Sequence, residues 1–172
     1  LPAERKAAEK IIIQYSRGAW NKSEKVFKQG DAIEIQIGQG AEGGLGTIVP
    51  PKELGRKLSH VMGLRWGHPA YIHSNILGMK NHSHLNRLVS YLKELTEGVP
   101  VGVKIAASKY LEKDLEIALE AGVDYIVIDG AQAGSKGTAP ILQDDFGLPT
   151  LFALVRAANY FEKHNCRDKV SL

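Results

Sequence analysis

Residues 123–149 read VDYIVIDGAQAGSKGTAPILQDDFGLP, and this stretch decides the fold class. The β-branched, apolar run that ends at Asp129 is typical of a strand buried on both faces in a parallel sheet. The loop that follows has glycines at positions 130, 134 and 137, which let backbone N–H groups approach a planar or anionic ligand closely. In α/β barrels the loops after the strands carry the chemistry. The stretch therefore predicts a βα unit with a functional loop at its carboxyl end.

The same alternation of strand and helix recurs along the chain. Apolar runs predict strands at residues 11–15, 32–37, 101–105, 125–128 and 170–172. Helical spacing predicts helices at residues 22–28, 51–61, 81–96, 111–119 and 149–161. Repeated βα units indicate an α/β protein with a parallel sheet, either doubly wound or closed into a barrel. Residues 63–80 carry no clear periodicity and are expected to be irregular.

A barrel is the favoured topology. A complete (β/α)8 barrel usually takes about 250 residues, so about five strands in 172 residues predict most of a TIM-type barrel, present as one domain over residues 1–172. The alternative is a short protein whose open sheet edges are covered by a second copy. The chain starts at Leu1 without a methionine, so we expect the natural N-terminus to lie further upstream.

Composition narrows the function classes. The chain has 22 Lys and Arg against 19 Asp and Glu, a net charge of +3, and this mixture does not suggest nucleic-acid binding. No apolar run approaches the roughly 20 residues of a membrane span. The single cysteine, Cys166, excludes an internal disulfide and is typical of a reducing compartment. We expect a soluble cytoplasmic protein that acts on a small molecule.

A glycine-rich loop follows the predicted strand at 32–37. Residues 38–43, GQGAEG, match the dinucleotide fingerprint G-x-G-x-x-G, which requires a helix to begin at once. Here the loop continues as GLGTIVPP, so a dinucleotide-binding protein is the weaker hypothesis. A plain mobile loop and a flavin-binding loop are the other two interpretations.

Lys104 stands inside the apolar strand VGVKIA. Burying an unpaired charge is costly, so Lys104 either pairs with a carboxylate on a neighbouring strand, such as Glu34 or Asp129, or meets a ligand at the barrel mouth. In the second case it could lie against the N1/C2 edge of a flavin and stabilise the reduced ring. Asp129 could orient a ligand or only accept hydrogen bonds from loop amides.

The remaining motifs do not match a known phosphate-binding or metal-binding pattern. The sequence G-S-K-G-T around Lys136 and Thr138 does not have the order of a P-loop. The six histidines show no zinc spacing, and Cys166 alone cannot hold an iron–sulfur cluster. The leucines of residues 85–95 are expected to be helix core. We expect no metal site.

Three segments together resemble the FMN-binding domain of glutamate synthases. Residues 34–47, EIQIGQGAEGGLGT, resemble the family motif EIKIAQGAKPGEGG, and residues 103–106, VKIA, resemble its VKLV strand. Residues 129–140, with one extra residue, resemble the loop DGAEGGTGAAP, and residues 146–157 resemble its FGLPT helix start. The order and approximate spacing are those of the family.

The resemblance implies an FMN-dependent (β/α)8 barrel that reduces 2-iminoglutarate, made from 2-oxoglutarate and ammonia, to glutamate. A close relative acting on a related amino acid is also compatible. The family's FMN phosphate loop and iron–sulfur cysteines correspond to positions past Leu172. An electron-donor or glutaminase subunit is an implied partner, and a homo-oligomer is possible. By the resemblance, Lys104 and Glu42 are the catalytic candidates, and the cofactor-binding candidates are Gln39, Lys104, Asp129, Gly130, Gly134 and Gly137.

Several family positions are altered. Gln36 stands where the family usually has lysine, and Leu45 aligns with the glutamate of GEGG unless Glu42 takes that place. The family's paired histidines correspond to Ile76 and Leu77. These changes remove polar groups that would position a dicarboxylate. A catalytically inactive barrel that serves as an assembly or regulatory subunit is therefore the main alternative to an oxidoreductase acting on CH–NH2 donors.

Overall fold

The computed structural model describes residues 2–18, 20, 23–40, 42, 45–76, 78–133 and 138–172. Its strands are β1 Ile12–Tyr15, β2 Ala32–Gln36, β3 Thr47–Val49, β4 Ala70–Ile72, β5 Val101–Ala106 and β6 Tyr125–Asp129. Its helices are α1 Pro2–Ala7, α2 Glu24–Phe27, α3 Pro51–Val61, α4 His82–Leu95, α5 Leu111–Glu120, α6 Pro140–Asp145 and α7 Thr150–Lys163, with a 3₁₀ turn at Ala131–Ala133.

Four strands form a parallel sheet in the order β1-β2-β5-β6, and each neighbouring pair is parallel. Helices separate successive strands of this sheet along the chain. The α/β prediction is confirmed, and the arrangement is consistent with part of a TIM-type barrel. The strand predicted at 170–172 is present only as one parallel bridge, between Tyr125 and Ser171.

The apolar core lies between one face of this sheet and the helices. Side chains alternate across a strand, and the members that face the helices are almost completely buried: Ile33, Ile35, Val101, Val103 and Ile126. Helix α4 covers them with Leu85, Val89 and Leu92, while Leu88 and Leu95 pack at the margin. The prediction that the leucines of residues 85–95 are helix core is therefore confirmed.

Helices α5 and α7 pack against the same face of the sheet as α4 does. The buried side of α5 is Leu111, Leu115 and Ala118, and α7 packs beside it through Ala153 and Ala157. Gly122, with φ of +77°, follows the end of α5. A glycine adopts this left-handed conformation without steric strain and turns the chain into β6.

The sequence analysis missed one part of the fold. Strands β3 and β4 form a separate two-stranded antiparallel sheet, although residues 63–80 were expected to be irregular. Each strand has only three residues, too few to show an alternating pattern, and they pair across the whole of α3. Inside α3, Gly55 interrupts the helical backbone with φ of +61°, which the leucine spacing did not indicate.

The segments after β2, β5 and β6 meet at one edge of the parallel sheet. The N–H of Ala107 donates to the carbonyl of Asp129, and the N–H of Leu148 donates to the carbonyl of Ala107. A Cβ built on Gly38 would lie 3.3 Å from Ala106. The loops that the sequence marks as functional are therefore held against one another at the carboxyl ends of the strands.

Candidate active site

Polar side chains occupy the sheet face that does not contact the core. Alternation along the strands puts Glu34 and Gln36 of β2, Lys104 of β5 and Asp129 of β6 on this face, and the register sets Gln36 beside Lys104. We call these four residues the inner-face cluster. In barrels this face is the interior, and its carboxyl-terminal end is where catalytic groups lie.

Lys104 lies between two carboxylates. Its Nζ is 3.7 Å from Oε1 of Glu34 and 3.9 Å from Oδ2 of Asp129, and the three side chains are only 19%, 15% and 21% exposed. The structure thus shows the pairing with neighbouring strands that the sequence left open. Both distances exceed the hydrogen-bond range. The N–H groups of Lys104 are therefore attracted to the carboxylates but donate to no acceptor in the described part of the chain.

Asp129 connects the cluster to the loop after β2. Burial raises the pKa of the Asp129 carboxyl, the Lys104 charge opposes that rise, and the charges of Glu34 and Glu42 add to it. The backbone N–H of Gly40 donates to the same carboxylate and lowers its pKa. The pKa of Asp129 therefore depends on charges of the strands and of the glycine-rich loop together, which is common for groups at functional sites.

The two glycine loops touch at Gly40 and Gly130. A Cβ built on Gly40 would lie 1.8 Å from the carbonyl oxygen of Gly130, and one built on Gly130 would lie 2.0 Å from Oγ1 of Thr150. Real Cβ atoms do not approach this closely, so only glycine allows this contact. Gly134 and Gly137, the other predicted cofactor-binding glycines, lie outside the described residues.

Gln39 presents an amide at the same edge. The Nε2 of buried Gln36 donates to Oε1 of Gln39 at 2.5 Å. This contact fixes the orientation of the Gln39 amide and leaves its own NH₂ without an acceptor among the described residues. Gln36 therefore orients Gln39 and supplies no charge to the site.

Glu42 pairs with a residue that the sequence analysis did not select. Nη2 of Arg17, which follows β1, donates to Oε2 of Glu42, and the Arg17 side chain is completely buried. The sequence shows only an arginine shortly after an apolar strand. It does not indicate the pairing, because the two partners are 25 residues apart. Glu42 is thus anchored beside the cluster by a buried cation.

The amino-terminal half of the same face is closed by side chains. The ring of Tyr125 lies over Gly102, where an added Cβ would be 2.3 Å from the ring. The Tyr125 hydroxyl donates to the carbonyl of Ile33 at 2.8 Å, and burial, with help from the charges of Glu34 and Asp124, raises its pKa. Gln14 donates to Glu34 at 2.7 Å. A ligand would therefore approach the cluster from the carboxyl ends of the strands.

The structure gives no support to the dinucleotide-binding hypothesis. The first regular element after the G-x-G-x-x-G segment is strand β3, whereas the dinucleotide fingerprint needs a helix there.

Cys166 is buried, and its Sγ contacts the carbonyl of Phe161 at 3.5 Å. Across the described residues, no group of three His, Cys, Asp or Glu side chains is placed to hold a metal ion. In the same residues, none of the helices is long and apolar enough to span a membrane.

A sizeable cavity lies on the other side of the sheet. It measures about 630 Å³ and opens between α4, α5 and the carboxyl ends of β2 and β5. It is lined by apolar side chains, among them Ile37, Leu85 and Ile105, and by polar residues such as Ser108 and Asp114. The coupled charges lie on the opposite face. We therefore place the candidate active site at the inner-face cluster and its two loops, since chemistry depends on the groups that line a site more than on its volume.

Comparison with known proteins identifies the family of this chain. A family model described as a conserved region in glutamate synthase matches residues 1–172. An archaeal-type glutamate synthase (NADPH) of Thermotoga maritima is 32% identical over 177 residues, which cover 100% of this chain and 34% of that protein. An archaeal glutamate synthase (NADPH) of Methanocaldococcus jannaschii is 30% identical over 169 residues, 96% of this chain and 32% of that protein.

A more distant relative belongs to the same group. A glutamate synthase large subunit-like protein of Rhizobium meliloti is 26% identical over 178 residues, 98% of this chain and 38% of that protein. The chain thus spans about a third of the length of the curated relatives that it matches. Because the family model extends over the whole chain, the chain belongs to the glutamate synthase family.

Proposed function

We propose that this chain is part of an FMN-dependent oxidoreductase of glutamate synthase type, which reduces 2-iminoglutarate, formed from 2-oxoglutarate and ammonia, to glutamate. Family membership supports a glutamate synthase-like function. The observation that carries the finer proposal is Lys104, a cation toward the carboxyl ends of parallel strands. Within the described part of the chain, its N–H groups have no acceptor within hydrogen-bond range.

The donors at the site suit the polar edge of a flavin ring. That edge offers carbonyl oxygens and ring nitrogens, which accept hydrogen bonds and gain negative charge on reduction. At the inner-face cluster and the loop beside it, Lys104 and the NH₂ group of Gln39 are donors that have no protein acceptor among the described residues. Both belong to the strand ends and loops that meet beside Gly40 and Gly130. This donor set is compatible with FMN.

Each residue then has a definite task. Lys104 would hold its positive charge against the N1/C2 edge, and Gln39 would donate a hydrogen bond to the same side of the ring. Asp129 and Glu34 would keep Lys104 on the inner face, and Gly130, with Gly134 and Gly137, would border the cofactor. Glu42 would face the substrate. FMN, when bound and reduced, supplies the hydride that the side chains of this chain lack.

An assembly subunit without catalytic activity is the second candidate. A lysine between two carboxylates on a half-buried face is also what a purely structural ion cluster looks like. In this case the cluster would contribute stability alone, and Gln36 and Leu45 would mark positions where catalytic groups have been lost. Binding of FMN and formation of glutamate distinguish the two functions.

The direct test is glutamate formation by the intact protein. We expect the purified protein, given FMN, 2-oxoglutarate, isotopically labelled ammonium and either NADPH or dithionite, to produce labelled glutamate. Omitting 2-oxoglutarate is the control, and the product is measured by mass spectrometry. If the protein holds FMN but forms no labelled glutamate with either reductant, its substrate is not 2-iminoglutarate. If it holds no FMN, the assembly function is favoured.

A further inference from the structure

Arg17 is a buried cation with incomplete hydrogen bonding. Its side chain is completely buried, and its Nη2 donates to Oε2 of Glu42. Nε and Nη1 have no partner among the described residues. A guanidinium does not lose its proton in a protein, and a buried N–H group without an acceptor is costly. The fold therefore retains a cation whose hydrogen-bonding capacity exceeds what Glu42 supplies.

Glu42 also forms part of the wall of a small cavity. The cavity measures about 110 Å³, and its wall includes Glu42, Gly46, Thr47 and Thr138. Oγ1 of Thr138 is buried and, like the two Arg17 nitrogens, has no partner in the described part of the chain. A water molecule takes about 30 Å³ in the liquid, so the cavity has room for a carboxylate group or about three waters. Among the described residues, Glu42 thus pairs with a cation that has unused N–H groups, and it lines a cavity that also contains the unpaired hydroxyl of Thr138.

We propose that Arg17 and Thr138 form a carboxylate-binding subsite, and that Glu42 occupies Arg17 until the carboxylate of a substrate replaces it. A carboxylate is planar, carries a full negative charge and presents two oxygens to the parallel N–H groups of a guanidinium. A neutral ligand would leave Arg17 uncompensated once Glu42 moved. The ligand class is thus a small carboxylic acid, and a 2-oxo dicarboxylic acid if the proposed function holds, on which this identification rests.

The subsite adjoins the inner-face cluster. The charge of Glu42 contributes to the raised pKa of Asp129, as does that of Glu34, so the Glu42 carboxylate is electrostatically coupled to the cluster around Lys104. A carboxylate that replaces Glu42 at Arg17 would therefore place its negative charge near the cluster around Lys104. In this arrangement Arg17 binds the carboxylate of the substrate, and Glu42 competes with that carboxylate for Arg17.

Glu42→Gln in the intact protein tests the exchange, with binding measured by calorimetry and stability by thermal unfolding. Without ligand we expect Tm to fall by about 3 °C or more, because the buried guanidinium loses its counter-ion. Glutarate or acetate should restore Tm more than sodium chloride at equal ionic strength does. The variant should also bind 2-oxoglutarate about 10-fold more tightly than the wild type, because its competitor is gone, a free-energy change of about 1.4 kcal/mol.

Two further variants complete the test. Arg17→Lys keeps the charge but loses the paired donors, and we expect it to bind 2-oxoglutarate at least about 10-fold more weakly. Glu53→Gln, on an exposed helix residue, should match the wild type throughout. The proposal is overturned if carboxylates protect Glu42→Gln no better than chloride, or if Arg17→Lys binds as the wild type does.

The outcome does not depend on catalysis. Carboxylate rescue with no glutamate formation would support the subsite and contradict the proposed function, while glutamate formation without rescue would do the reverse. If neither variant folds, the wild-type protein still decides the matter. Glutarate should raise its Tm more than chloride at equal ionic strength, and equal shifts would contradict the proposal.

Discussion

Lys104→Met is expected to leave a folded protein that forms glutamate at least about 100-fold more slowly than the wild type, the usual loss when a group that stabilises developing charge is removed. Methionine keeps the length and apolar character of the side chain but lacks the ammonium that lies between Glu34 and Asp129. If Lys104 supports the reduced flavin, the reduction potential of bound FMN should also become more negative. Steady-state assays and a spectroscopic redox titration measure the two effects.

Lys93→Met is the matched control for this result. Lys93 donates to Asp124 at 2.8 Å, so the variant also breaks a lysine–aspartate pair, but at the end of the sheet where β5 and β6 begin. It should lower stability by about 1 kcal/mol or less and leave kcat unchanged. A purely structural Lys104 would instead make the two variants behave alike, with lower stability and a full turnover rate. That outcome would favour the assembly function.

Gly40→Ala is expected to destabilise the protein by about 2–4 kcal/mol, at the upper end of what overpacking costs. The new Cβ would lie 1.8 Å from the carbonyl oxygen of Gly130 and 2.8 Å from that of Asp129. Both are backbone atoms, so one of the two glycine loops must move. The shift would also disturb the N–H of Gly40 that donates to Asp129, and FMN affinity should fall. Denaturant unfolding and FMN titration measure these effects.

Gly38→Ala, in the same loop, is the matched control. It also restricts the flexibility of the loop backbone, but it does not create the steric conflict with Gly130. Its nearest contacts would be 3.3 Å, to the Cβ and the backbone N of Ala106, and movements of a few tenths of an ångström relieve them. We expect a change in the free energy of unfolding of about 1 kcal/mol or less and normal FMN binding. Equal effects of the two alanines would mean that the contact between the loops does not hold the site together.

The sequence predicted the parallel sheet because its signals are local. Buried runs such as residues 101–105 and the helical stripe from Leu85 to Leu95 can be recognised within one element. The antiparallel pair of β3 and β4 was missed because each strand has three residues and its partner is far away in the chain. Short strands that pair across a helix have no periodicity of their own.

At the candidate site, too, the sequence indicated residues with a local signal and missed those that depend on distant partners. Lys104 and Asp129 were selected because a charge inside or at the end of an apolar strand is conspicuous, and the structure brings both into one cluster. Arg17 was not selected, because its importance depends on burial and on pairing with Glu42, 25 residues away. The orientation of Gln39 by Gln36 likewise depends on side-chain geometry that residue types alone do not specify.

The most direct test of the flavin proposal is a native mass spectrum of the intact protein with added FMN, recorded for the wild type and for Lys104→Met. The proposal predicts that the wild type carries one FMN per chain and that the variant retains less of it at the same FMN concentration. A wild-type protein that remains without FMN at all concentrations, or a variant that binds it equally well, would contradict the assignment of the inner-face cluster as a flavin site.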